Sequence, residues 1–208
     1  MITVYGRPSS INVRKVLWLC DELGLTIARA AQNYDAPGPE PVPEVLALNP
    51  NGLIPVLTDD GHVLWESNTI CRYLAGKAGR TDLLPADITA RSRVEQWMDW
   101  QATELNTSWR TPFMGLIRKS PAHSDPQALA AGIAGWNRTM GLLDDQISRT
   151  GAYVTGETFT LADVVLGVSV HRWLHMPMQR PDLPGITGYY RRLLSRPAFP
   201  AHARPDVP

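Results

Sequence analysis

Two short stretches of this chain hold residues whose types and spacing could do chemistry. The first is Asn49-Pro50-Asn51-Gly52-Leu53-Ile54-Pro55-Val56-Leu57, which closes at Trp65-Glu66-Ser67. Asn-Pro and Asn-Gly are turn dipeptides. Ile54, Val56 and Leu57 suit a strand, but Pro55 has no ladder donor and belongs at a strand's first residue or on an edge. A cis Ile54-Pro55 bond would turn the Ile54 N–H and C=O away from the sheet, where they could meet an extended ligand as another strand would. Asp59-Asp60-Gly61 is a hairpin turn, and His62 to Trp65 returns from it. Ser67 is placed to cap a helix from Asn68 to Lys77. Backbone groups, the Glu66 carboxylate and a helix N-terminus then stand side by side, a set that suits a small peptide better than a nucleotide. The second stretch is Pro8-Ser9-Ser10-Ile11-Asn12, ahead of a helical pattern. Ser9, Ser10 and Asn12 are all good N-cap types, and simple capping accounts for them when they are taken alone.

The elements around these stretches follow from periodicity. Ile2 to Tyr5 is a short strand. Val13, Val16, Leu17, Leu19, Cys20 and Leu23 have helical spacing over Asn12 to Leu23, and Gly24 stops that helix. Thr26 to Ala31 suits a second strand. Tyr34 to Pro43 carries four prolines and a glycine and must be a loop. Glu44 to Leu48 is at most a short helix. Strand, helix, strand, short helix, hairpin and helix make an α/β unit over residues 1–78. Residues 79–87, with Gly79 and Pro85, form a linker. From 88 to 208 the patterns are helical: a long one from Thr89 to Thr111, with a kink expected at Pro112, then Gln127 to Arg149, Leu161 to His175 and Tyr189 to Ser195. The Pro- and Ala-rich end is expected to pack loosely. Thr160-Leu161-Ala162-Asp163 is a capping box before an apolar helix, which favours a structural role for Asp163.

Bulk properties narrow the partners. The chain has 208 residues, 44% hydrophobic and 19% charged, with twenty basic and twenty acidic side chains. A neutral chain without a Lys/Arg cluster argues against nucleic acid and anionic membrane as partners. No apolar run approaches a membrane span and no signal-peptide layout opens the chain, which points to a cytoplasmic protein. Cys20 and Cys71 lie in apolar helical patterns and suit buried packing thiols. No metal-binding spacing such as H-E-x-x-H occurs, so no metal is expected.

Taken together, Tyr5-Gly6-Arg7-Pro8-Ser9-Ser10-Ile11-Asn12-Val13-Arg14-Lys15-Val16, the Asn49–Leu57 segment, Leu64-Trp65-Glu66-Ser67-Asn68-Thr69-Ile70, Phe159-Thr160-Leu161-Ala162-Asp163 and Arg196-Pro197-Ala198-Phe199 resemble the soluble glutathione transferases over nearly the whole chain. That resemblance implies a thioredoxin-like N-terminal domain, an all-α C-terminal domain and a two-fold homodimer. It also implies a cis bond before Pro55 and glutathione as co-substrate.

The resemblance puts the thiol-activating residue in the loop after the first strand. Ser10 falls at the position of the serine-type classes, and Asn12 matches a Ser-x-Asn pattern of some bacterial members. Ser9 would exchange with Ser10 on a one-residue shift, and Tyr5 ranks below Ser10. No cysteine occupies the loop, so a mixed disulfide there is not expected. By the same resemblance Ile54, before Pro55, pairs its backbone with the cysteinyl unit, Glu66 and Ser67 hold the γ-glutamyl end, and Asn51 is a candidate near the glycyl end. The Tyr34–Pro43 loop offers neither Lys nor His for the glycyl carboxylate. Trp109, Arg110, Phe113 and Met114 are candidates for a pocket holding a small electrophile, with Arg110 set to meet an anionic or polar one. Ordinary roles compete for these residues: surface acid for Glu66, solvated arginine for Arg110, core packing for the aromatics. Three functions remain open: transfer of glutathione to a soft electrophile, glutathione-dependent reduction of disulfides or peroxides, and a non-catalytic binding or regulatory module on the same fold.

Overall fold

A computed structural model describes residues 1–30 and 43–204, so the expected loop over 34–43 lies, apart from Pro43, outside the described residues. The chain divides into two units, Met1–Leu84 and Pro85–Pro208. The first is built on a four-stranded sheet in the order β2-β1-β3-β4. Its strands are β1 (Ile2–Tyr5), β2 (Ala28–Arg29), β3 (Val56–Asp59) and β4 (His62–Trp65). β1 and β2 run parallel and are joined through helix α1 (Ile11–Glu22), whereas β3 pairs antiparallel with both β1 and β4. The β3–β4 loop is the two residues Asp60 and Gly61, at φ 48° and 89°. Two successive positive φ values make the type I′ turn that matches strand twist. β2 is shorter than its apolar pattern suggested. The α/β part is thioredoxin-like, as the sequence implied.

Helix α2 (Pro43–Leu48) lays Val45 against Val56, with Tyr5, Leu48 and Ile54 packed around the pair. Helix α3 (Ser67–Lys77) packs against α1, and the two bury Val13, Val16, Cys20, Ile70, Cys71 and Leu74. The Ile54-Pro55 bond is cis. Gly6, just after β1, sits at φ 133°, and a Cβ there would lie 2.5 Å from Val13 Cγ2 and 3.0 Å from Ile54 Cβ. Only a residue without a side chain lets the β1–α1 loop come this close to both α1 and Ile54.

The second unit is helical: α4 (Ile88–Trp100), a π-helical turn over Gln101–Leu105, α5 (Asn106–Ser108), α6 (Arg110–Leu116), α7 (Pro126–Thr150), α8 (Leu161–His175), α9 (Pro184–Leu194) and α10 (Phe199–His202). The single long helix expected over 89–111 is therefore broken, and the break does not wait for Pro112. It starts at buried Gln101, whose Nε2 donates to Ser169 Oγ (3.2 Å) and Asn106 Oδ1 (3.2 Å). Pro112 is the third residue of α6, where a missing N–H costs nothing. Helix α9 starts five residues before the expected Tyr189, with Pro184 in its first turn and the Asp144 carboxylate accepting the Ile186 N–H at 2.7 Å. The chain end is not loosely packed as far as it is described: Phe199 is fully buried, edge-on to Tyr190 at 5.8 Å. Residues 205–208 lie outside the described set.

Helix α8 is buried along Leu161–Trp173 and organises this unit. Asp163 in its first turn accepts the N–H of Val154 (2.9 Å), the N–H of Thr160 (2.8 Å) and the hydroxyl of Tyr189 (3.1 Å). One carboxylate thus ties together the segment before α8, the helix start and α9. Burial pushes its pKa up to about 6, against an ordinary 3.8, although those bonds pull it down.

Two outcomes follow. Asp163→Ala leaves buried donors unpaired and lowers unfolding free energy by about 3 kcal/mol or more, measured by urea denaturation. Because the native carboxyl binds its proton more tightly than the unfolded chain does, its contribution is largest below about pH 4 and declines as pH rises through about 6. The gap between wild type and Asp163→Ala therefore narrows as pH rises from about 4 through about 6. Gly6→Ala puts a Cβ into Val13 and Ile54 at a strained φ and costs about 2 kcal/mol or more, read from the same denaturation curves.

Candidate active site

The loop leaving β1 ends at Ser10, the N-cap residue of α1, in an extended conformation (φ −78°, ψ 125°). Its N–H donates to the Arg7 carbonyl (3.1 Å), and its own carbonyl accepts the Arg14 N–H (2.9 Å). Its side chain caps nothing. The half-buried hydroxyl stands at a helix start with no acidic side chain in the first turn. Capping, the ordinary explanation for Ser10, is therefore absent. Asn12, half-buried in that turn, has its Oδ1 buried without a hydrogen-bond partner. A buried polar atom left in this state costs about 1–3 kcal/mol. Ser9 lies half-buried in the preceding turn and Tyr5 half-buried in β1.

Ile54 is partly buried just before β3 and packs toward Gly6, so the cis-proline segment and the Ser10 loop adjoin. Pro55 is buried. Asn51 is exposed but committed: its N–H and Nδ2 both donate to Asn49 Oδ1 (3.0 and 3.2 Å), while Asn49 Nδ2 donates to the Leu53 carbonyl at 2.8 Å. Asn51 thus shapes the turn, with buried Asn49 as its anchor. Nothing in the sequence distinguishes Asn49 from an ordinary turn asparagine, which has no need to be buried.

Ser67 does not cap α3, as the sequence suggested; it is the helix's first residue, and Glu66 takes the cap position at φ 70° without a side-chain cap bond. The chain must turn sharply from β4 into α3, and the left-handed backbone of Glu66 makes that turn. Positive φ at a non-glycine residue costs about 1 kcal/mol or more and is frequent at ligand-binding sites. The Glu66 carboxylate is exposed, whereas Ser67 and Asn68 are buried. Beneath them lies a residue with no expected role, Lys15. Its Nζ donates to Ser67 Oγ (3.3 Å) and Asn68 Oδ1 (3.2 Å). The sequence signal is a basic residue inside the largely apolar helical run from Val13 to Cys20, and the structure buries that run on every side. The structure thus draws the starts of α1 and α3 together around Lys15.

In the second unit the four pocket candidates separate into two stripes of α6 and its approach. Trp109 and Phe113 meet edge to face at 5.4 Å, and buried Arg172 from α8 stacks over both rings, at 4.5 and 4.1 Å. The Trp109 indole N–H donates to Asn106 Oδ1 at 3.1 Å. Phe113 is buried, Met114 half-buried and Arg110 exposed. Cys20 and Cys71 are fully buried, and burial pushes both thiols up to about 12. Neither is a usable nucleophile near neutral pH. Among the described residues there is no cluster of His, Cys, Asp and Glu that could hold a metal, and no helix long and apolar enough to cross a membrane.

Comparison with known proteins fits this architecture. Residues 4–82 match the family profile "Glutathione S-transferase, N-terminal domain", and residues 126–192 match "Glutathione S-transferase, C-terminal domain". The chain is 33% identical to glutathione S-transferase GstB of Escherichia coli K12 over 95% of both chains. It superposes with a TM-score of 0.87 on the theta class glutathione S-transferase of Xanthomonas axonopodis pv. citri with glutathione bound, at 34% identity and covering 97% of this chain and 96% of that one. It is also 27% identical to elongation factor 1-gamma 1 of rice, matching 90% of this chain but 45% of that protein. The chain belongs to the soluble glutathione S-transferase family and is an enzyme of that family.

Proposed function

We propose that this transferase uses Ser10, helped by Asn12, to hold glutathione's thiol as a thiolate and delivers it to a soft carbon electrophile. The observation that carries this reading is the uncommitted Ser10 hydroxyl at the N-terminus of α1. Glutathione's thiol ordinarily ionises near the value of free cysteine, so the nucleophile is scarce at neutral pH. A hydrogen bond to a charged group is worth roughly 1.5–3 kcal/mol, and one pK unit is about 1.4 kcal/mol. One hydroxyl donor thus lowers the thiol pKa by roughly one to two units and raises the thiolate at pH 7 from a few per cent to between about a quarter and three-quarters. The α1 macrodipole adds to this, as does an Asn12 amide hydrogen, leaving serine an anion stabiliser and not a nucleophile. The sulfur then forms a C–S bond while a halide departs with the bonding pair, or adds to an activated double bond whose neighbouring carbon takes a proton from water.

The remaining contacts follow from the same placement. Residues 1–78 bind the tripeptide: the Ile54 backbone beside Pro55 pairs with the cysteinyl unit, Glu66 takes the γ-glutamyl ammonium, and Ser67 with the α3 start takes its α-carboxylate. Asn51 shapes the loop toward the glycyl end. Beyond the 79–87 linker, residues 88–208 supply the electrophile pocket, with Trp109, Phe113 and Met114 as apolar surface and Arg110 as the cation. The working form is a homodimer, supported by the exposed Val63 and Trp65 on edge strand β4, and light scattering of the purified protein should give twice the chain mass. Reduction through a protein–glutathione disulfide is disfavoured, since both cysteines are buried with raised pKa values.

The test is the pH–rate profile with a haloaromatic substrate. Ser10→Ala should lower kcat/KM by about 10- to 100-fold and move the profile's midpoint up by about one to two units. Ser9→Ala should leave both unchanged. Should Ser10→Ala and Asn12→Ala both keep the wild-type profile, the mechanism is wrong; faster turnover of a mixed disulfide than of any haloaromatic would favour the reductase instead.

A further inference from the structure

Lys15 is 1% exposed. It lies in α1 one turn beyond Asn12, and its Nζ is 3.3 Å from Ser67 Oγ and 3.2 Å from Asn68 Oδ1. An ammonium has three hydrogens to give and no lone pair to receive one. In both contacts Lys15 is therefore the donor. That decides the orientation of its two partners. With its oxygen accepting from Lys15, Ser67 has one hydrogen left to give, directed away from the ammonium. With Oδ1 facing Lys15, the Asn68 amide turns its NH2 elsewhere. Both residues lie in the first turn of α3, where backbone N–H groups also lack intrahelical partners. A buried cation beneath that turn adds positive potential to the end of the helix that already carries it.

We infer that Lys15 is a positioning residue for the tripeptide's α-carboxylate: it points the Ser67 hydroxyl hydrogen at that carboxylate and places a fixed charge behind it. This rests on Ser67 receiving the γ-glutamyl α-carboxylate. Lys15 acts through Ser67 and Asn68 and touches no substrate. It confers selectivity for a carboxylate over a neutral group of the same shape, because both the oriented hydrogen and the charge act on negative oxygen. Unlike the Ser10 hydroxyl, it bears on how the tripeptide is held and not on the sulfur.

The experiment compares glutathione with its analogue carrying a carboxamide in place of the γ-glutamyl α-carboxylate, by calorimetry on wild type, Lys15→Met and Ser67→Ala. Lys15→Met should weaken glutathione about tenfold, change the carboxamide analogue less than about twofold, and leave the pH midpoint of turnover at saturating glutathione where it was. An equal loss for both ligands, or no loss for either, overturns the role of Lys15. If Ser67→Ala leaves glutathione affinity intact, the placement of the γ-glutamyl end fails instead, and the two failures are thereby told apart. A readout on the unaltered protein stands whether or not the variants fold. The Lys15 side-chain nitrogen resonance should shift on adding glutathione and stay in place on adding the analogue; identical responses to both ligands overturn the inference.

Discussion

The buried ammonium of Lys15 joins two helix starts that are fifty-two residues apart in the chain, at Lys15 and Ser67. A charge this deep persists only where hydrogen bonds replace the water it has lost. Ser67 and Asn68 supply two of those bonds, so the start of α3 is held against α1 by an interaction that is costly to break from one side. Around this link the other site features fall into place. The Ser10 loop is the approach to α1, the Glu66 turn is the approach to α3, and the closeness of Gly6 to Ile54 brings the cis-proline segment alongside. Three separate stretches, each irregular in backbone, meet at one end of a small regular sheet.

The first turns of α1 and α3 carry most of the polar groups at this end of the sheet. Ser10 has a hydroxyl that caps nothing, Asn12 an amide whose Oδ1 accepts no hydrogen bond, and the two helices their N-terminal N–H groups. Lys15, one of several basic residues of the unit, is kept away from solvent under Ser67. Cys20 and Cys71, by contrast, lie among apolar side chains that hold their protons on.

The helical unit is organised differently. Asp163 binds the segment before α8 to α9, and Arg172 on the same helix stacks against Trp109 and Phe113. Both lie buried in the most apolar helix among the described residues: Asp163 joins the segment just before α8 to the more distant α9, and Arg172 joins α8 to α6. The π turn at Gln101–Leu105 belongs with them, since its first residue, Gln101, donates to both Ser169 and Asn106. Asn106 in turn fixes the Trp109 ring.

Much of this was legible in the residues. The strand β1, the hairpin with Asp60 and Gly61, helices α1, α3 and α7, the full extent of α8, and the capping box at Asp163 all follow from local periodicity and turn chemistry, which act over a few residues. The resemblance carried by the Ser10, Pro55 and Glu66-Ser67 segments pointed to the family and to the cis bond. What only the tertiary structure decided depends on contacts between distant residues: the break at Gln101 instead of Pro112, the early start of α9 under Asp144, the buried Phe199 near the chain end, and the first-residue position of Ser67. It also decided that Ser10 caps nothing and that a lysine lies under Ser67. A sequence states which donors and acceptors a chain carries, but which of them remain unpaired after folding is settled by every other group competing for them.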